Sequence, residues 1–443
     1  MKLDRSLRAH LLGAGQESLA EHFETLDPAR QEILLPQIQA LDLDLVAALR
    51  TGAGVSPPPL GRWEPMDFIP AAARGPRTPA AVRGTLELKA GKVAFALVAG
   101  GQASRLRWDG PKGTFPIGPR TDRSLFRVLV EHVVRAAREH RAVPPLAVTT
   151  SPTTDAAIRA FFELNDCFGL DRAVLSFVCQ SSLPAFDDQG RLILAAPDRI
   201  FTSPDGHGGA LQSLEKQGVL AAWEQQGIST VCTFQVDNPL LRVADPDFLG
   251  RVWTEGTSIA TKIVVKNRPE QKLGLVVRMD GHPAIVEYTE APPARAAARD
   301  PDGRLAFRLG SIAAHAFRLD FLRRALATSL PLHPARKEIP CVDADGQAVR
   351  RPGVKYERFL FDVFPRAQSI TVVEVIRERE YAPVKDAEGY ESPESSRRSL
   401  DAEYRRWYRE AGREPPDAGP LELSPLEATG PEDLRPDKPR PVW

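Results

Sequence analysis

The residues best equipped for chemistry sit where an apolar run over residues 93–99 stops at Gly100-Gly101. Arg105 follows, and Pro111-Lys112-Gly113 closes the stretch. Glycine lets a main chain approach a ligand closely and take backbone angles that a Cβ forbids. A buried strand emptying into a glycine loop with an arginine and a lysine is built to hold phosphate groups. The pattern is neither the dinucleotide fingerprint G-x-G-x-x-G nor the P-loop G-x-x-x-x-G-K-[ST]. A second group is Ser203-Pro204-Asp205-Gly206-His207-Gly208-Gly209, whose glycines around a histidine predict an irregular loop shaped for backbone contact. His207 could act there as a base, a metal ligand or a polar contact. No other His or Cys stands at ligand spacing, which favours the contact. A third group is Asp237-Asn238, at the end of the apolar run 230–236. Mg2+ is usually held by one or two carboxylates together with substrate phosphates, so Asp237 is a candidate ligand; a cap on the turn at Asn238-Pro239 is the alternative.

The elements that must position these groups alternate in type. Strands are expected at 93–99, 144–150, 174–179 and 230–236, and helices at 124–140, 155–165 and 210–223. The third strand delivers Gln180 at its carboxyl end. This alternation predicts a doubly wound α/β sheet that binds its ligands at the carboxyl ends of the strands. Further strands are expected at 259–266, at 274–279 and at 284–288, which carries Glu287, with Asp280-Gly281 as a hairpin turn. Residues 311–315 lead into a helix at 319–327, and 359–364 and 369–376 read as the last core strands. Tyr381-Ala382-Pro383-Val384-Lys385 then sets a lysine near the core. Ahead of the sheet, residues 1–85 read as a helical segment and linker, with Asp27-Pro28 as a helix start and Pro36 as a kink or break. Residues 86–385 read as the catalytic domain. Residues 386–443 read as a C-terminal helix, a short ordered segment at 421–426 and a mobile proline-rich tail.

Composition excludes several classes. The 443 residues carry zero formal net charge and are 42% hydrophobic, as expected of a soluble globular chain of more than one domain and not of a nucleic-acid-binding surface. The four cysteines show no C-x-x-C spacing and read as reduced core residues. No apolar run suits a signal peptide or a membrane span, so a cytoplasmic location is expected, without membrane or nucleic-acid partners. Oligomeric state is not legible.

The loop pattern G-G-Q-x-x-R-L-x-x-x-x-P-K-G resembles the signature of sugar nucleotidyltransferases, which couple a nucleoside triphosphate to a sugar 1-phosphate. It is most similar to that of the UDP-N-acetylglucosamine pyrophosphorylase family, of UDPGP type. The resemblance runs from about residue 10 to residue 426. It implies a Rossmann-like, GT-A-like nucleotidyltransferase core on a mixed sheet, a bracing N-terminal helical segment, and UTP and a sugar 1-phosphate as partners, with Mg2+ as cofactor. By this resemblance Gly100 and Gly101 lie against the nucleotide, Gln180 reads uracil, and Gly206 packs against the base. Arg105 and Lys112 grip the triphosphate and Asp237 binds the metal. Gly274 and Glu287 hold sugar hydroxyls, and Lys385 reaches the sugar phosphate.

Departures from the family pattern gather on the sugar side. His207 stands where the family has Asn in P-D-G-N-G-G, and Ser311 replaces the first Asn of N-I-A-N-H. In the nucleotide loop Ala103 and Arg107 replace glycines, and the cations remain. The resemblance therefore implies a uridylyltransferase that makes a UDP-sugar and pyrophosphate, with N-acetylglucosamine 1-phosphate as the expected sugar. A glucose 1-phosphate or broad-range enzyme is the runner-up. Of other classes, a non-catalytic sugar-nucleotide sensor and an interaction protein using the tail are the rivals.

Overall fold

The computed structural model describes residues 2–343, 346–417 and 419–437. The chain forms two compact units, each assembled from three stretches. One holds Pro59–Cys179, Ala210–Thr328 and Phe361–Trp443; the other holds Met1–Pro58, Gln180–Gly209 and Ser329–Leu360. The sequence reading places boundaries near residues 85 and 385, whereas the packing divides the chain after residues 58, 179, 209, 328 and 360.

The first unit is built on a ten-stranded sheet. Its strands are β1 (Trp63–Glu64), β2 (Val93–Val98), β3 (Leu146–Thr150), β4 (Leu175–Cys179), β5 (Thr230–Gln235), β6 (Ile259–Val265), β7 (Leu275–Met279), β8 (His282–Val286), β9 (Leu309–Arg318) and β10 (Ile370–Glu374). Strands β4, β3, β2 and β5 lie side by side and parallel. The near-continuous burial of β2, β3 and β5 matches strands covered on both faces. Strand β9 makes the sheet mixed, because it runs antiparallel between β5 and β6. Beyond it β6 pairs in parallel with β10, and β7 pairs antiparallel with β8, β9 and β1. The helix Leu125–His140 starts on the Ser124 side chain, which accepts from the Arg127 N–H at 3.1 Å, and buries Phe126, Leu129, Val130 and Val133 in the sheet's core.

Strand β9 carries an irregularity. Thr261 faces His315, but Ile263 faces Ser311, so β9 holds extra residues at 312–314. Ala313 there takes a left-handed φ of 56°. A bulge of this kind bends the strand and re-aims its side chains.

The second unit packs the helices Arg5–Gly13, Glu17–Thr25, Pro28–Gln39 and Leu43–Thr51 around one core with Leu183, Phe186, Ile200, Val354 and Tyr356. Asp27 caps the third helix as expected, accepting from the Arg30 N–H at 3.0 Å. That helix runs through Pro36 and ends at Gln39. A long hairpin, His333–Val342 with Ala348–Glu357, belongs to the same unit and has no counterpart in the sequence reading.

Three local expectations need correction. Residues 206–209 open the helix Gly206–Lys216 instead of an irregular loop, and Gly218, with φ 78°, separates that helix from Val219–Gln225. Their glycines serve close packing: a Cβ at Gly208 would lie 2.6 Å from the Phe359 carbonyl carbon, and one at Gly209 2.0 Å from the Asp205 carboxylate. Residues 311–315 lie in β9, which runs directly into the helix Leu319–Leu326 as expected. Leu360–Arg366 is a 3-10 helix; short apolar runs do not separate strand from helix, and Pro365 has no N–H for a ladder. Beyond residue 426, Ala428 and Leu434 are buried in the first unit's core, so the chain to residue 434 packs where a mobile tail was expected. Residues 435–437 are exposed, and 438–443 lie outside the described residues. Among the described residues no helix is long and apolar enough to cross a membrane.

Candidate active site

The glycine loop leaves β2 at the carboxyl edge of the parallel strands. Ser151 Oγ donates to the Gly100 carbonyl at 2.8 Å, tying the loop to the end of β3. The Lys112 N–H donates to the Gly101 carbonyl at 3.0 Å and the Ala103 N–H to that of Gly110 at 3.1 Å, which closes the loop on itself. A Cβ at Gly101 would meet nothing within 4 Å, whereas one at Gly113 would lie 2.3 Å from the Phe126 ring. Gly101 thus leaves room in front of the loop, and Gly113 lets Lys112 sit close against a buried helix. Arg107, in place of a family glycine, takes the left-handed φ of 54° itself.

Two of the expected cations, Lys112 and Lys385, gather around Asp237, just beyond the end of β5. The Val384 N–H donates to the Asp237 carbonyl at 2.8 Å, which brings Lys385 alongside. Lys385 Nζ lies 3.1 Å from Tyr381 Oη and 3.3 Å from Glu391. Burial works against its charge, but Tyr381, Asp237 and Glu391 outweigh that and raise its pKa. The Tyr381 phenol is pushed up to about 12, mainly by burial. For Lys112 burial wins: its pKa is lowered, Arg105 and Lys385 lower it further, and Asp237 opposes them. Lys112 makes no side-chain hydrogen bond or ion pair among the described residues. Arg105 is largely exposed and lies 3.5 Å from Asp386, which is also 3.8 Å from Lys272.

Asp237 is buried, with 8% of its surface exposed. Among the described residues its carboxylate accepts no hydrogen bond, so it caps no turn. Nor do three or more potential ligands cluster into an all-protein metal site. A buried carboxylate beside the glycine loop suits Mg2+, an ion that keeps waters and phosphate oxygens as most of its ligands.

Three of the sugar-side candidates meet in the same unit. The Ser311 N–H donates to the Gly274 carbonyl at 2.8 Å. Leu275 faces Val286 across β7 and β8, which puts Glu287 beside Gly274 one step further along. Ser311 Oγ accepts from the Ala313 N–H at 3.2 Å and holds the bulge of β9. Tyr288 follows Glu287; burial and Glu287 raise its pKa, and it lies within the fields of Lys385 and Arg105.

The remaining candidates lie in the other unit. Gln180 Nε2 lies 3.3 Å from the Asp205 carboxylate and 3.2 Å from the Gly206 carbonyl. Gly206 has φ 84°, and a Cβ on it would meet the Arg358 carbonyl at 2.5 Å. His207 Nδ1 accepts from the Leu360 N–H at 2.9 Å, and its ring stacks on Phe359. Burial and His333 lower its pKa to about 4, so the imidazole is neutral at pH 7 and its Nδ1 is engaged.

Tyr381, Glu391, Asp386, Lys272 and Tyr288 were not singled out from the sequence. A signal was present for two of them: an acidic run, Asp386 to Glu391, directly follows Lys385.

A mixed sheet with a cation-bearing glycine loop at the end of a parallel strand defines an α/β protein that handles nucleotides. The profile of the UTP–glucose-1-phosphate uridylyltransferase family matches residues 80–404. The chain is 34% identical over 441 residues to UDP-N-acetylhexosamine pyrophosphorylase-like protein 1 of Mus musculus, covering 93% of this chain and 87% of that one. It is 32% identical over 460 residues to UDP-N-acetylglucosamine diphosphorylase 2 of Arabidopsis thaliana, covering 97% and 91%. The crystal structure of the uridine diphosphate N-acetylglucosamine pyrophosphorylase from Trypanosoma brucei superposes with a TM-score of 0.80 at 28% identity, over 96% of this chain and 93% of that one. The chain belongs to the UTP–glucose-1-phosphate uridylyltransferase family, among the UDP-sugar pyrophosphorylases.

Proposed function

We propose that the chain transfers a uridylyl group from UTP to a sugar 1-phosphate, releasing a UDP-sugar and pyrophosphate, and that N-acetylglucosamine 1-phosphate is its preferred acceptor. A phosphate oxygen of the sugar 1-phosphate attacks the α-phosphorus of UTP in line, and the bond to pyrophosphate breaks opposite. The nucleophile is already an anion, so no protein base is needed, and the chain's task is to position two polyanions and offset their repulsion. The observation that carries this reading is the convergence of Lys112, Lys385 and Asp237 at the end of β5, beside the Gly100-Gly101 loop.

In this reading Arg105 and Lys112 hold the triphosphate, and Lys385, kept charged by its neighbours, takes the sugar phosphate. Gly274, Glu287 and Ser311 orient the sugar; Gln180 and Gly206 select the base. Asp237 would hold Mg2+, which supplies further charge neutralisation on the phosphates. The names of the Arabidopsis thaliana and Trypanosoma brucei relatives support N-acetylglucosamine as the sugar unit. A second reading, glucose 1-phosphate as acceptor, rests on His207 and Ser311, the two sugar-side departures.

Pyrophosphate release from UTP, Mg2+ and a panel of sugar 1-phosphates tests both. The expected result is turnover with the highest kcat/KM for N-acetylglucosamine 1-phosphate. Equal or better use of glucose 1-phosphate would favour the second reading, and no release with any sugar would reject the enzyme.

A further inference from the structure

Asn238 follows the candidate metal ligand and is buried, with 3% of its surface exposed. Its amide reaches a stretch of chain remote in sequence: Nδ2 donates to the Glu380 carbonyl at 2.8 Å, and Oδ1 accepts the Ala382 N–H at 3.0 Å. An amide carries one acceptor and a donor group, and both are spent here on the same segment. The neighbouring main chain adds the Val384 to Asp237 bond at 2.8 Å. The segment is gripped from its other sides as well. Ser396 Oγ donates to the Ala382 carbonyl at 2.7 Å, and the Glu380 carboxylate pairs with Lys262 and Arg74. One end of this clasp is Asp237; the other runs directly into Lys385.

We infer that Asn238 is a positioning residue whose side chain sets the separation between Asp237 and Lys385. The inference rests on the roles proposed for those two groups, the carboxylate that would hold the metal and the cation on the sugar phosphate. Asn238 itself need touch neither substrate. It makes no side-chain bond to the glycine loop, so its loss acts on the alignment of the reacting groups and spares the grip on UTP. Misplacing reacting groups by about 1 Å can cost on the order of a hundredfold in rate.

The test is a double-mutant cycle in the pyrophosphate-release assay, joined to amide hydrogen exchange. Asn238→Ala alone should lower kcat about thirtyfold with KM for UTP changed less than about threefold. In a Lys385→Met background, where the lysine's placement no longer matters, the same substitution should cost less than about threefold. Exchange at Ala382 and Val384 should quicken, while β2 and β5 stay protected. An equal loss of kcat in both backgrounds, or unchanged exchange over residues 380–385, overturns the inference. Asn238→Asp, which keeps an acceptor for Ala382 and loses the donor to Glu380, carries the same comparisons if the alanine variant does not fold. A wild-type protein that releases no pyrophosphate strikes the reading beneath, and the exchange measurement still decides the clasp.

Discussion

Replacing Lys112 with methionine removes a charge and keeps most of the side-chain stem, so it separates the ammonium's two effects. In the free protein the ammonium is a liability. Burial and the nearby Arg105 and Lys385 lower its pKa, and Asp237 only partly compensates. In the proposed reaction it would face charge building on the phosphates. Removing one donor aimed at such charge costs about 2.7–4 kcal/mol, which is on the order of a hundredfold or more in kcat. The variant should therefore lose at least about a hundredfold in turnover and lose no stability. The sign with pH follows from the direction of the shift. A lysine whose folded pKa lies below 10.5 holds fewer protons folded than unfolded as pH rises towards that value, so wild-type stability climbs through that window. The stability advantage of Lys112→Met should be present at neutral pH and fade as pH approaches 10.5. Pyrophosphate release gives the turnover, and urea unfolding at several pH values gives the stability. Turnover within about tenfold of wild type, or a clear loss of stability, would refute the assignment of Lys112 to the phosphates.

Asp386 lies between Arg105 and Lys272 where a phosphate would compete for the same cations. Asp386→Asn should tighten UTP binding severalfold in a titration at low salt, by less than about 1 kcal/mol because these groups are exposed. Arg107 holds a left-handed backbone angle without being glycine, so Arg107→Gly should raise stability by up to about 1 kcal/mol in urea unfolding, offset in part by glycine's larger entropy loss.

Much of the candidate site was legible because its signals are local. The glycine loop, Arg105, Lys112 and Asp237 each announce themselves by residue type at the end of an apolar run, and the structure puts such runs in parallel register. What was not legible is non-local or ambiguous in period. The strand His333–Val342 reads H-P-A-R-K-E-I-P-C-V, with its charges bunched at Arg336-Lys337-Glu338 and no clean alternation, and its pairing depends on the partner strand far more than on its own pattern. Residues 180–209 continue directly from β4 yet pack with the N-terminal helices, which no linear change of composition marks. The clasp at Asn238 joins positions over 140 residues apart, so neither end hints at the other.

The departures from the family pattern have a common physical character. Arg107 takes a left-handed angle of the kind glycine adopts freely. Ser311 Oγ accepts from the Ala313 N–H two residues on, a turn bond that an Asn side-chain oxygen makes equally well. His207 uses Nδ1 to accept from the Leu360 N–H; that nitrogen is bonded to Cγ, as Oδ1 is in asparagine. Ser311 and His207 thus each make a local bond that an asparagine side chain could also accept, so exchange for asparagine alters chiefly what the side chain offers beyond it. Restoring both asparagines, as His207→Asn with Ser311→Asn, should therefore leave the unfolding midpoint nearly unchanged. If these side chains choose the sugar, the pair should raise the preference for N-acetylglucosamine 1-phosphate over glucose 1-phosphate in kcat/KM by about tenfold, the worth of one or two hydrogen bonds. A double variant with unaltered preference would remove both positions from sugar selection, and one that unfolds early would show that the imidazole and hydroxyl are there for packing.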